Sequence, residues 1–227
     1  MRRKQWFLSI ILFVGSLCFL IYSKHFFSIP QATESAISLP VISAPQSKIV
    51  LLADKEYYPF IKEHFRKAQK SIVGTIYLFK TAPYRDNEPA DLLRELIAAP
   101  KRNVSVELVI DISSEDRDFN EANLKAAEIL SKAGVQVSFD RMDLATHAKA
   151  FVIDNRYCFV GSHNFTHSAM AINKELSLFI DSPETAGKVL EFIAQIPRTP
   201  FSERPERKAK TSKESRPDER GLPSAER

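Results

Sequence analysis

Between His147 and Glu175 the chain sets out an ordered group of residues suited to phosphate: His147-Ala148-Lys149, Asp154, Gly161-Ser162-His163-Asn164 and Asn173-Lys174-Glu175. A neutral imidazole at His147 can attack phosphorus and form a phosphohistidine, splitting one difficult displacement into two easier ones. Lys149 and Asn164, together with Ser162, offer a cation and neutral donors for the nonbridging oxygens, where charge builds up in the transition state. The Glu175 carboxylate is placed to fix the tautomer of His147 and to stabilise the ring when it is charged. A second histidine has to protonate the leaving oxygen and later activate water. One copy of the pattern supplies only one such histidine, so a twofold homodimer is the expected way to supply both.

Strands and helices alternate around this pattern. Strands are predicted at 48–54, 71–79, 104–111, 135–140, 147–153, 157–161 and 175–181 from short β-rich apolar runs. Helices are predicted from Tyr57 through Ala68, around Leu92–Ile97, over 120–133 with Gly134 as the stop, and from Pro183 to Pro197. The expected fold class is α/β, a mixed β-sheet flanked by helices on both faces. His147 and Lys149 are two apart, so in a strand they share a face. Asp154-Asn155 reads as the tight turn between two of the strands, and Gly161 permits close backbone approach just before Ser162. Cys158, inside a strand pattern, reads as a small buried hydrophobe.

The two ends of the chain have a different character. Residues 6–23 contain no charged side chain and as a helix would span roughly 27 Å, close to the hydrocarbon thickness of a bilayer. Arg2, Arg3 and Lys4 in the short segment 1–5 precede it, which leaves the N-terminus in the cytoplasm and sends the rest of the chain across. A single-pass membrane protein with an extracytoplasmic (periplasmic) domain is therefore expected; secretion after signal cleavage is the alternative. Residues 24–46 read as a Pro-punctuated linker, 47–197 as the catalytic domain and 198–227 as a disordered charged tail. Of the +4 formal charge, residues 47–197 contribute 19 basic against 21 acidic groups, so the basic excess sits in the ends. The basic balance therefore gives no electrostatic case that the domain binds nucleic acid.

The pattern resembles that of the phospholipase D superfamily, whose HKD motif corresponds to His147, Lys149 and Asp154. Gly161-Ser162-His163-Asn164, Asn173-Lys174-Glu175 and the strand–helix order from Lys48 to Ile196 match as well. The similarity is to single-motif members, the Nuc-type bacterial endonucleases and the mitochondrial cardiolipin hydrolase. It implies a homodimer that uses paired histidines without metal or cofactor, on a phospholipid or nucleic-acid phosphodiester. It also implies that Asp154 shapes the turn more than it joins the chemistry. Arg102-Asn103-Val104 departs from the usual Arg-Gly-Val of the family. His163, of opposite strand parity to Ser162 and Asn164, is expected to be structural, and His167 is an alternative in-chain acid. A metal-independent endonuclease alone, or a non-catalytic membrane-anchored phosphate-binding protein, are the competing readings.

Overall fold

Alternating apolar residues in the central strands give the sheet two buried faces. The computed structural model describes residues 47–81, 87–113 and 116–203. The expected anchor, the linker up to residue 46 and residues 204–227 of the tail lie outside the described residues. Among those described, no helix is long and apolar enough to cross a membrane.

The strands are β1 (Lys48–Ala53), β2 (Ser71–Ile76), β3 (Ser105–Ile110), β4 (Gln136–Asp140), β5 (Ala150–Ile153), β6 (Tyr157–Gly161), β7 (Leu176–Asp181) and β8 (Arg198–Pro200). They form one mixed sheet in the order β1-β7-β6-β5-β2-β3-β4-β8, in which β2, β3 and β4 are parallel and every other pairing is antiparallel. The helices are α1 (Tyr57–Lys67), α2 (Glu88–Ala98), α3 (Arg117–Lys132), α4 (His167–Ala171) and α5 (Pro183–Gln195). Side chains stop the fraying of their first turns. Asn87, Asp116, Thr166 and Ser182 accept from the amides of Ala90, Phe119, Ala169 and Thr185, which caps α2, α3, α4 and α5.

On one face Ile72, Ile76, Leu108, Ile110, Phe151, Ile153, Phe159 and Phe179 pack with Ile61 and Phe65 of α1, the α2 leucines and Leu130 of α3. On the other, Val109, Val152 and Cys158 pack beneath α5 through Ala186, Val189, Leu190 and Ile193. Period-2 alternation along β2, β3, β5 and β6 therefore fills two cores at once, and helices flank both faces as expected. Cys158 is fully buried, and burial pushes its thiol up to about 11.

Three expectations are corrected. The strand expected over 147–153 begins only at Ala150. Gly161 N–H still donates to Lys149 O at 3.2 Å, but the next amide, that of Ser162, turns to Leu176 O at 3.1 Å, so the β5–β6 ladder ends before His147. The strand expected from Glu175 likewise starts at Leu176. The tail expected to be disordered from Arg198 instead continues as β8, which pairs with β4, followed by a 3-10 turn over Phe201–Glu203. There Arg198 forms an ion pair with Glu107 at 2.9 Å and the Phe201 ring sits 5.8 Å from that of Phe139. Three residues, the last of them Pro200, that directly follow Pro197 carry no readable alternation; the open edge of β4 gives them their conformation.

Candidate active site

The parallel strands β2, β3 and β4 end where antiparallel β5 begins, so residues just past their C-terminal ends surround the residues that precede β5. Such a boundary in a sheet is where a crevice forms. His147 is exposed and Lys149 is buried, 5% accessible. The Lys149 ammonium donates to His147 O at 2.6 Å and lies 4.7 Å from the centre of the Tyr77 ring. That same ring meets the His147 imidazole edge-on, with centroids 4.4 Å apart. Burial, and secondarily the nearby Lys149 charge, lower the His147 pKa, so the ring is neutral at neutral pH. Burial also lowers the Lys149 pKa, while Glu175 and Asp111 oppose that shift. A neutral imidazole thus stands beside a cation held by a carbonyl and an aromatic face.

Asn164 follows β6. Its Oδ1 accepts from Leu78 N–H at 3.2 Å, which leaves the carboxamide NH2 as the end that can donate. Ser162 Oγ gives its proton to Glu175 Oε2 in a short contact and accepts from Leu176 N–H at 3.0 Å. Its hydroxyl is thereby committed to local partners. Glu175 Oε1 accepts from Asn173 Nδ2 at 3.0 Å. Within one chain Glu175 therefore orders Ser162 and Asn173 and acts on Lys149. Among the described residues its carboxylate accepts from Ser162 and Asn173, so the expected contact with the His147 ring stays an expectation.

Asp154 is not brought to this cluster. It lies past the other end of β5, roughly 13 Å away at the usual strand rise. Its φ of 54° and the 57° of Asn155 put two left-handed residues at the centre of the β5–β6 turn, which Arg156 N–H closes by donating to Ile153 O at 3.1 Å. Its carboxylate accepts from the amides of Gln69, Lys70 and Ser71 at 3.1, 2.7 and 3.1 Å. The structure thus assigns it to joining the β5–β6 turn to the start of β2.

The other two histidines near the motif are held elsewhere. His163 is fully buried and stacks on Tyr57 at 4.2 Å; Nε2 donates to Asp54 O at 2.8 Å, so Nδ1 accepts from Ser177 Oγ at 2.7 Å. Burial lowers its pKa, and it is structural. His167 Nδ1 pairs with Glu88 Oε2 at 2.7 Å. Gly161 is required by close approach: a Cβ there would lie 2.1 Å from Ser177 Oγ and 2.4 Å from Ser177 Cα.

Several residues around the site were not singled out from the sequence. Asp54, at φ 52°, accepts from Glu175 N–H at 3.0 Å and from Lys174 Nζ at 2.6 Å, and so fixes the backbone that presents Glu175. Asn123 Oδ1 accepts from Phe79 N–H at 2.7 Å, while Nδ2 donates to Tyr77 O at 2.8 Å and to Asp111 O at 2.9 Å. Asp54, Asp111 and Asp140 each stand at the C-terminal end of a strand run, and that shared position was the signal available. An open cavity of about 350 Å³ adjoins His147, lined by Leu144, Ala148, Phe192 and Ile196 among others. Among the described residues, no group of three His, Cys, Asp or Glu side chains is arranged to hold a metal ion.

Comparison with known proteins bears on the family and the fold. A family model described as "Cardiolipin synthase, PLD-like domain" matches residues 61–196. The fold is similar to that of Nuc from Salmonella typhimurium, a phospholipase D family member, with a TM-score of 0.59 and 24% identity over 69% of this chain and 99% of that one. It is also similar to phosphatidylserine synthase from Haemophilus influenzae, with a TM-score of 0.51 and 16% identity over 68% of this chain and 40% of that one. Among curated proteins, a polyphosphate kinase from Erythrobacter litoralis is 28% identical over 158 residues, 65% of this chain. The match spans only 22% of that kinase's length.

Proposed function

Since the chain belongs to the phospholipase D superfamily, we propose that it is a phosphodiesterase that works through His147 in a site completed by a second copy of itself. The observation that carries this reading is the pairing of a neutral, exposed imidazole with a buried ammonium on the same aromatic wall, Tyr77. The polyphosphate kinase and phosphatidylserine synthase it is similar to are named for reactions at phosphate groups, which supports the same reaction class.

The imidazole of His147 attacks phosphorus and the P–O bond to the leaving group breaks, while a second histidine gives its proton to the leaving oxygen. That second histidine, now neutral, takes a proton from water as the water attacks the phosphohistidine, releasing His147 and the phosphomonoester product. Lys149 and the Asn164 carboxamide bind the nonbridging oxygens throughout. Glu175 keeps Ser162 in place and balances the Lys149 charge.

Among the described residues the other histidines are engaged away from this chemistry. His64 bonds Phe60 O, His163 is in the core and His167 is paired with Glu88. The acid is therefore taken from the partner's copy of His147, so in the dimer one copy holds the proton while its mate is the neutral nucleophile. A bare apolar face supports such a partner. Ile49 and Leu51 of β1 stay 62% and 59% accessible, and Val160 of β6 and Leu178 of β7 continue the patch on the same side as α5. An apolar sheet face of this kind marks an interaction surface. Phe192 and Leu144, both exposed, extend it to the cavity beside His147.

The substrate is a phospholipid or nucleic-acid phosphodiester. The charge-free segment 6–23 supports a membrane anchor that holds the domain on the extracytoplasmic side. The test is hydrolysis of bis(4-nitrophenyl) phosphate by the full chain in detergent with excess chelator. Turnover that disappears in His147→Ala, with label trapped on His147 in the wild type, is the expected result. A dimeric wild type inert toward the aryl diester, phospholipid vesicles and plasmid DNA overturns the reading. In that event a non-catalytic phosphate-binding role takes its place. Competing vesicles against plasmid DNA then separates a phospholipase from an endonuclease.

A further inference from the structure

Two buried carboxyl groups outside the motif converge on one backbone amide just before His147. Thr146 N–H donates to Asp111 Oδ2 at 2.6 Å and to Asp140 Oδ2 at 3.0 Å, which sets the two carboxyl groups side by side on one amide. Asp140 Oδ1 also accepts from Ile112 N–H at 2.9 Å. Asp111 and Asp140 are only 2% and 3% accessible. Two buried carboxylates that meet at one amide repel, so one of the pair is favoured to keep its proton. Burial first, and then the Asp140 charge, push the Asp111 carboxyl up to about 7, against the Thr146 amide and Lys149, which pull it down.

One acceptor would satisfy one amide, so the second carboxyl group asks for a reason beyond hydrogen-bond satisfaction. Residues 141–145 are all exposed, and Thr146 is the first buried residue that follows them. The peptide it begins carries His147, and Lys149 lies one turn of the extended chain further on. The same pair is tied to the aromatic wall, because Asn123 Nδ2 bridges the carbonyls of Asp111 and Tyr77. The charged group facing Asp111 besides Asp140 is Lys149, which Glu175 also acts on; α3 presents the uncharged Asn123 carboxamide.

We propose that Asp111 and Asp140 are positioning residues of this site, a proton-sharing pair that grips the Thr146 amide and thereby fixes where His147 and Lys149 emerge from the loop over 141–145. The proposal rests on the phosphodiesterase reading. With the proton in place the grip is intact. When the pair loses it, two negative charges oppose each other at one amide, and the additional charge on Asp111 draws Lys149 away from the phosphate. Turnover therefore falls on the alkaline side.

The test combines a direct reading of the pair with kinetics on the full chain. In protein labelled with 15N-threonine, with the Thr146 amide assigned through Thr146→Ser, that resonance titrates with a step near 7, and in Asp111→Asn that step is lost. Asp111→Leu lowers kcat on the aryl diester about 100-fold with KM changed much less, as expected when orientation rather than binding is lost. Asp111→Asn restores most of that loss, and its alkaline limb moves up by at least one pH unit. A wild-type Thr146 amide that does not titrate, or an Asp111→Asn profile that keeps the wild-type alkaline limb, overturns the proposal. If Asp111→Leu does not fold, the amide titration and the Asn variant carry the decision. If the wild type turns over no phosphodiester, the functional reading fails, and the amide titration still decides the pair.

Discussion

At one end of β5 the chain runs into Asp154, whose carboxylate is taken up by three backbone amides in a turn of fixed left-handed geometry. At the other end, roughly 13 Å away by strand rise, stand His147, whose ring is open to solvent, and Lys149, whose ammonium rests on a carbonyl and a ring face. One motif therefore spans two regions of opposite character. The Asp154 end is closed, with its polar groups satisfied by the protein itself. The His147 end keeps a neutral base and a cation in reach of a ligand. The difference shows that residues grouped by spacing need not share one environment: a single strand joins the proposed reacting end to an architectural one.

The sharpest way to break this contrast is His147→Ala. With the proposed nucleophile gone, turnover should fall by about 10⁴-fold or more, the loss typical of a covalent catalyst. Because the ring is exposed and meets only Tyr77 closely, the midpoint of thermal unfolding should barely move. A large fall in thermal stability with modest loss of rate would reverse the assignment of the two ends. Lys149→Met comes next. Losing the cation that meets developing charge should reduce kcat by about 10²–10³-fold. Lys149→Arg should recover little, since the buried niche is shaped by His147 O and the Tyr77 ring for a compact ammonium. Steady-state kinetics on the aryl diester reads both.

Asp154→Ala tests the opposite end and should show the opposite signature. Removing an acceptor shared by three amides should destabilise the domain by about 2–3 kcal/mol. For a domain of this size that is about 5–10 °C in thermal midpoint. Rate per folded molecule should stay within a few-fold of wild type. A loss of kcat comparable to that of Lys149→Met, at unchanged stability, would put Asp154 back in the chemistry.

Much of the scaffold was legible because its signals are local. Seven of the strands and four of the helices announce themselves through apolar periodicity, caps such as Ser182-Pro183 and the Asp154-Asn155 turn. The strand boundaries beside the site were misplaced because they depend on other elements. Thr146 leaves the sheet for Asp111 and Asp140, and Ser162 leaves β6 for Leu176, and neither choice is written in the sequence around those residues. β8 owes its form to the open edge of β4, and the five residues of α4 are too few to show a period. Within the site, His147, Lys149 and Asn164 followed from residue type and spacing. Tyr77, Asp54, Asn123 and the Asp111–Asp140 pair did not, since each acts through contacts between residues distant in sequence. The partners that Glu175 takes within the chain, Ser162 and Asn173, were not legible for the same reason.

The smallest expected effect concerns His163, a histidine that the site's own motif contains and the core has absorbed. Buried against Tyr57, with Nε2–H given to Asp54 O and Nδ1 accepting from Ser177, the neutral ring satisfies both of its nitrogens. A proton on Nδ1 would face a hydroxyl that must then reverse, in a place where burial already lowers the pKa. The unfolded chain takes up that proton more readily, near the ordinary value of about 6.5. Stability should thus be complete above about 6.5 and decline as pH falls below it toward the lowered folded-state value. His64, lowered by burial as well, adds to the same window, whereas the Asp54 carboxylate, lowered chiefly by its hydrogen bond to Lys174, is lost only at pH below its ordinary 3.8. Urea midpoints measured between pH 5 and 8 should therefore slope downward toward acid in the wild type and slope less in His163→Gln. A steeper slope in the variant would mean that His163 is held protonated in the folded state. That would make it a charged member of the reacting end rather than part of the frame behind it.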